Sequence, residues 1–302
     1  MTANMHENEV VTDAQLVRRL LAAQFPQWAS LPLTPVPSAG TDNALYRLGS
    51  GMVVRLPRID WAVGQAEKER RWLPRLAPHL PLTIPEQLAM GKPDAGYPWP
   101  WSIYRWLPGA SATLERLNAP CQAAGQIARF VTALWQVDTT DGPPAAEHNW
   151  RGAPLALRDE PTRKAIAALA GVIDAGKATA VWEAALEAPA WEREPVWFHG
   201  DLLSGNVLVE QGRPSAVIDF GGLAVGDPAC DLMIAWSLFS GASREVLRAE
   251  TAVDEATWLR GRGCALSQAV IFIPYYWHTN PIGVKNAQRM LDELLAEYNV
   301  AD

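Results

Sequence analysis

Apolar positions recur at two different periods along this chain, and the change of period divides it. Residues 12–25 place Leu16, Val17, Leu20 and Leu21 on one helical stripe. Thr12 and Gln15 stand before it at capping-box spacing, and Pro26 follows it. Residues 44–48 and 52–56 read as two strands joined by the Gly49-Ser50-Gly51 turn. Residues 62–71 read as a charged helix, and residues 85–91 and 101–106 as further strands of a small antiparallel sheet. Past Pro108-Gly109 the pattern turns helical. Residues 121–137 carry Ala124, Ile127, Ala128, Val131, Leu134 and Trp135 on one face. Residues 162–188 read as one Ala-rich helical region. Asp227-Pro228 has the form of a helix start that Gly241 would end, and residues 254–277 and 281–298 read as the last helices. Residues 148–155 show no assignable pattern. The reading is α+β, with a sheet-rich part over residues 1–107 and a mainly helical part over residues 108–302.

One segment interrupts the helical half. Residues 199–222 read HGDLLSGNVLVEQGRPSAVIDFGG. The apolar runs at 207–209 and 216–218 flank Gln211-Gly212-Arg213-Pro214, which predicts a β-hairpin. A polar loop with Asp201 and Asn206 enters the hairpin, and Asp219 leaves it. The order H-x-D-x-x-x-x-N followed by D-F-G is the catalytic pattern of kinase-fold enzymes. Phosphoryl transfer needs Mg²⁺, which prefers hard oxygen ligands, here Asn206 and Asp219. The acceptor hydroxyl needs a carboxylate to orient it and take its proton, here Asp201. The bland alternative is a solvated loop beside an acidic turn, and the two ordered halves of the motif weigh against it. A P-loop near-miss at Gly171, Gly176 and Lys177 has Ala178 where a Mg²⁺-binding hydroxyl belongs, and its setting is helical, so it is set aside.

With Gly200 between the His and the Asp, and Gly226-Asp227-Pro228-Ala229-Cys230-Asp231 following closely, the chain resembles the aminoglycoside phosphotransferase and choline kinase-like family. The short spacing leaves no room for a protein-kinase activation loop, and no A-P-E follows. The resemblance runs from about residue 36 to residue 239. It implies a two-lobed protein-kinase-like fold, with ATP or GTP as donor, Mg²⁺ as cofactor and a small-molecule acceptor, the nucleotide lying in the cleft. It places the phosphate loop on residues 38–43, with Ser38, Gly40, Thr41 and Asn43 as contacts. It puts the phosphate-pairing cation on Arg55, where kinases carry Lys, and the helical Glu that pairs with it on Glu69 rather than Glu67. Adenine contacts fall near Arg105 and Leu107. His199 and Asp231 support the catalytic loop. An aminoglycoside or another amine-bearing compound is the acceptor the resemblance suggests. Choline, homoserine, sugar or macrolide kinases remain open, as does an inactive nucleotide-binding module, since Arg replaces Lys. A protein kinase is the further class, and the missing activation segment counts against it. Glu147, Asp159 and Glu160 are candidate carboxylates for a cationic acceptor. Tyr276, Trp277 and His278 read as core or interface aromatics, with an acceptor pocket as the other reading.

Composition narrows the partners. Twenty-six basic against 33 acidic residues give a net charge of −7, which argues against nucleic acid. Cys121, Cys230 and Cys264 form no metal spacing and no even disulfide set, which suits a reducing cytosol. Residues 1–10 lack the basic and apolar parts of a signal peptide, and the apolar run at 269–277 is broken by Pro274 and too short to span a bilayer.

Overall fold

The structure is a computed structural model that describes residues 5–6, 8–37, 40–145 and 150–298. Two compact units form, one from Met1–Pro78 with Ile84–Pro108, the other from His79–Thr83 with Gly109–Asp302.

The first unit is built on the stripe and strands that the hydrophobic pattern marks. Helix α1 (Ala14–Gln24) buries Leu16, Val17, Leu20 and Leu21. Its cap is Asp13, whose carboxylate accepts the Leu16 N–H at 2.7 Å, and not Thr12, which accepts the Tyr46 hydroxyl instead. Strands β1 (Leu33–Pro35), β2 (Asn43–Leu48), β3 (Met52–Pro57), β4 (Gln87–Gly91) and β5 (Trp101–Arg105) form one antiparallel sheet ordered β1-β2-β3-β5-β4. Along β2, buried Ala44, Tyr46 and Leu48 alternate with more open positions, so one sheet face packs on α1. Helix α2 (Gln65–Leu76) begins after Gly64 and runs a turn beyond the charged stretch, with Pro74 inside it. Trp101 sits fully buried in this core, edge-on to Phe25, and its indole N–H donates to the Lys92 carbonyl at 3.2 Å.

The second unit joins helices to two small sheets. Helices α3 (Pro120–Trp135), α4 (Asp159–Ala168) and α5 (Ala175–Glu187) precede the catalytic segment. The expected single helix over 162–188 is two, because the chain turns at Leu169–Asp174 and Asp174 caps α5 through the Lys177 N–H. Strand β6 (Ala110–Ser111) pairs with β8 (Val207–Glu210), which pairs with β9 (Arg213–Val217) as the predicted hairpin. The register shifts between Leu208 and Val209, which lets Pro214 sit in the ladder. Strand β7 (Val196–Phe198) pairs with β10 (Ala224–Gly226). After a 3-10 stretch at Pro228–Met233 come α6 (Ile234–Ser237), α7 (Gly241–Thr251), α8 (Glu255–Tyr276) and α9 (Pro281–Tyr298). Gly241 therefore opens a helix rather than ending one. Ser240 caps α7 reciprocally with Ser243.

Helix α8 is buried along most of its length and packs on α9, α5 and the 3-10 stretch that carries Asp231. Arg260 on α8 reaches back to both Asp227 oxygens at 2.7 and 3.2 Å, fixing the start of that stretch. Among the described residues no helix is long and apolar enough to cross a membrane.

Truncating the Trp101 ring leaves a large void in the first unit. Trp101→Ala should lower its unfolding free energy by about 3–5 kcal/mol, read from urea denaturation.

Candidate active site

The segment from His199 to Asp219 runs through a loop into the β8–β9 hairpin, and side chains bonded to its backbone hold the loop. The His199 imidazole is fully buried. Its Nδ1 accepts the Asp201 N–H at 3.1 Å, so the ring proton sits on Nε2, 3.0 Å from the Ile218 carbonyl. Phe220 packs on the ring at 4.5 Å between centroids. Asp231 accepts the His199 N–H on one carboxylate oxygen and the Gly200 N–H on the other, each at 2.9 Å. Residue 200 has φ of +82°, and a Cβ there would meet the Gly222 carbonyl oxygen at 2.5 Å. Only glycine fits, which accounts for HGD in place of the protein-kinase H-R-D.

Asn206 Nδ2 donates to the Asp201 carbonyl at 2.8 Å and to Asp201 Oδ2 at 3.0 Å. Both Nδ2 hydrogens are thereby committed. Ile218 N–H donates to the Asn206 carbonyl at 2.8 Å, so the residue before Asp219 is tied to both His199 and Asn206. Asp219 itself has φ of +65°, a left-handed conformation that Asp adopts more readily than most residues. The loop thus brings Asp201, Asn206 and Asp219 into one neighbourhood. A carboxylate and an amide oxygen suit Mg²⁺, which keeps waters and substrate phosphates as its other ligands. No group of three or more His, Cys, Asp or Glu side chains forms a ready-made cage among the described residues.

A residue that sequence reasoning missed completes this neighbourhood. Arg151 Nη2 lies 2.9 Å from Asp201 Oδ1. It falls in the stretch without periodicity, and no spacing pointed to it.

The first unit holds the other candidates. Arg55 Nη1 donates to both Glu69 oxygens, at 2.8 and 2.9 Å, and Nη2 to Gln65 Oε1 at 2.8 Å. With its amide oxygen turned to the guanidinium, Asn43 accepts from Nη2 at 3.0 Å and Nε at 3.1 Å. Glu69 is fully buried and also accepts the Tyr104 hydroxyl, while Glu67 is exposed. The Arg55 donors are thus met by protein groups, so the side chain is a clamp between β3 and α2. Thr41 donates to Asp42, and Gly40 is exposed. Ser38 and Glu147 lie outside the described residues. Arg105 donates its backbone N–H to Glu86 and pairs with it through the side chain at 2.6 Å; Leu107 is near the end of this unit.

Other candidates are placed elsewhere. Asp159 accepts from the Trp182 indole and from Arg163, each at 2.7 Å, and these partners hold its carboxyl below the usual range. Glu160 is exposed. Tyr276 is buried at the end of α8, whereas Trp277 and His278 are exposed.

Comparison with known proteins decides the family. A model described as the phosphotransferase enzyme family matches residues 33–264. The chain belongs to that family. No curated protein sequence matches it. Among solved structures of this phosphotransferase's fold is the GDP and kanamycin complex of APH(2")-IIia. It is 20% identical, with 93% of this chain and 98% of that chain covered and a TM-score of 0.71. The GDP complex of wild-type aminoglycoside 2'-phosphotransferase-IIIa is 18% identical over 95% and 99%, with a TM-score of 0.73. Macrolide 2'-phosphotransferase MphH from Brachybacterium faecium is 23% identical over 93% and 98%, with a TM-score of 0.58. At these identities the likeness shows the fold, which is two-lobed and protein-kinase-like.

Burial pushes the Asp231 carboxyl up to about 7, against the pull of its two N–H donors. The folded chain then binds more protons here than the unfolded chain between about pH 4 and pH 7, so this group's contribution to stability falls as pH rises through that window. Asp231→Asn should flatten that part of the stability profile, measured by urea unfolding at pH 4.5, 5.5 and 6.5.

Proposed function

We propose that this protein transfers the γ-phosphoryl group of ATP or GTP to a hydroxyl of a small molecule, with Mg²⁺ as cofactor. The observation that carries the reading is the tied loop of Asp201, Asn206 and Asp219, held by His199 and Asp231. The solved complexes of its fold relatives, with GDP, ADP, ATP, kanamycin, gentamicin and streptomycin, support a nucleotide donor and a hydroxylated acceptor.

The division of labour follows from the residues. Asp201 orients the acceptor hydroxyl and takes its proton as the oxygen attacks. Asn206 and Asp219 present an amide oxygen and a carboxylate to the metal. Mg²⁺ bound there would neutralise charge on the donor phosphates. His199 contributes no proton to the reaction, since Nε2–H is spent on Ile218 and Nδ1 on Asp201; it keeps the loop in shape. Arg55 and Glu69 fix β3 against α2 beside the phosphate loop of Gly40, Thr41 and Asn43. Because the Arg55 donors are met within the protein, it contributes charge to the phosphates, and a direct contact requires it to exchange a partner. Backbone groups near Arg105 and Leu107 would hold the base. Catalysis is positioning and charge neutralisation.

An aminoglycoside-like or other amine-bearing acceptor is the first reading, supported by the relatives' ligands and the net charge of −7. Asp159 is turned to Trp182 and Arg163 and so lends that reading no carboxylate. A macrolide acceptor is the second reading, favoured by the likeness to MphH. The three unpaired cysteines fit a reducing cytoplasm.

A Mg²⁺-dependent nucleotide-consumption assay against aminoglycosides, macrolides, choline, homoserine and sugars tests the reading; no transfer to any of them would count against it. Asp201→Asn should leave nucleotide affinity within about twofold and cut turnover by about 10²–10⁴-fold. Asp219→Ala should instead weaken Mg²⁺–nucleotide binding itself, seen as a loss of Mg²⁺ dependence in a nucleotide titration.

A further inference from the structure

Arg151 stands beside the proposed base, and the fold is shaped to put it there. Its guanidinium approaches Asp201 Oδ1 at 2.9 Å, while Asn206 Nδ2 holds Oδ2 at 3.0 Å. The carboxylate is thereby gripped from both sides. The loop that delivers Arg151 is pinned. Trp150 and Gly152 both have positive φ, at +60° and +69°. The Gly152 carbonyl accepts the Asp227 N–H at 3.2 Å, and Asp227 is itself clamped by Arg260. A Cβ on Gly152 would come within 2.2 Å of the Phe198 ring, so glycine alone lets the loop lie on β7. Gly222 has room for the guanidinium: a Cβ there would sit 3.3 Å from Arg151 Nη1.

The side chains of Arg151 and Asp201 are 22% and 24% exposed, while Asp201 Oδ1, the oxygen facing the guanidinium, is itself buried. We propose that Arg151 is a positioning and specificity-determining residue: it fixes the Asp201 carboxylate and favours acceptors whose reacting hydroxyl is flanked by uncharged or anionic groups over acceptors flanked there by an ammonium. This rests on the phosphotransferase reading above.

The physical grounds are two. A carboxylate held at both oxygens samples fewer rotamers, and a base must be aimed before it can take a proton. A guanidinium at ion-pair distance repels a second cation brought to the same carboxylate, and donates to a hydroxyl, ether, carbonyl or carboxylate instead. Amines elsewhere on the acceptor are untouched by this rule.

The test uses Arg151→Gln, which keeps most of the length but no charge, and Arg151→Lys, which keeps the charge. Turnover, KM and Mg²⁺–nucleotide affinity are measured on the full chain with the best acceptor of the panel. They are then measured on a matched pair that differs by an amine or a hydroxyl beside the modified position. Arg151→Gln should lower kcat by about 10–100-fold with nucleotide affinity within about twofold, as for a lost positioning contact. Arg151→Lys should recover part of that loss. The preference for the hydroxyl member of the pair should fall by about tenfold in Arg151→Gln, as the like-charge repulsion goes. A Gln variant with kcat within twofold of the parent overturns the proposal, as does one whose preference for the hydroxyl member is unchanged, or a Lys variant no better than the Gln variant. A parent enzyme that transfers phosphate to no acceptor of the panel sinks the phosphotransferase reading and this inference together, whereas an active parent with any of the three failures sinks this inference alone.

Discussion

The loop that follows β7 depends on one buried carboxylate. Asp231 is fully buried, and its two oxygens accept the N–H groups of His199 and Gly200. Burying a carboxylate is unfavourable unless its lone pairs are met, and two N–H donors meet them here. The same bonds satisfy two buried backbone donors that have no strand partner at the point where β7 gives way to the loop. Everything downstream inherits that geometry. His199 is fixed through its backbone, its ring then fixes Asp201 and Ile218, and Ile218 fixes the approach of Asp219. Helix α8 holds the clamp from the other side, since Arg260 grips Asp227 at the start of the 3-10 stretch bearing Asp231. The site is therefore a chain of local constraints with its anchor in the helical core.

The first unit shows a different solution to a buried charge. Glu69 is fully buried, and its carboxylate is met by Arg55 and Tyr104. A guanidinium has five donors in a planar fork, and Arg55 spreads them over Glu69, Gln65 and Asn43. A lysine, with three donors, could not make all of these bonds at once. The exchange of Lys for Arg at this position thus comes with partners suited to it. The price is that a phosphate has no uncommitted donor to meet.

What could be read from the residues was what is local. The hairpin at β8 and β9 and the strand pair β2 and β3 follow from period and turn residues; helix face says that only one of Glu67 and Glu69 can pair with Arg55, and the family resemblance points to Glu69. The failures were failures of punctuation. Gly241 looked like a helix end because glycine favours that place, but Ser240 and Ser243 form a reciprocal cap that makes it a start. Thr12 looked like a cap by spacing, but the Tyr46 hydroxyl takes it and Asp13 serves. The run over 162–188 is uniformly helical in propensity, so the break at Leu169–Asp174 was invisible to a periodicity argument.

Arg151 was out of reach for a deeper reason. It lies fifty residues before Asp201, in a stretch without hydrophobic period, and only the packing of β7 and Asp227 brings it to the carboxylate. The one local signal was Gly152, whose positive φ serves the turn in which the Ala153 N–H donates to the Trp150 carbonyl. Its role emerges from contact: the Phe198 ring leaves no space for a Cβ, so the loop is pressed onto the strand that leads into the catalytic segment. A chain that gives up side-chain freedom at Gly152, Gly200 and Gly222 to bring one guanidinium and one carboxylate together is constrained at that contact more tightly than the proposed metal ligands alone require. That is why a cation in this place reads as part of the machinery of the loop rather than as a surface arginine that happens to lie near an acid.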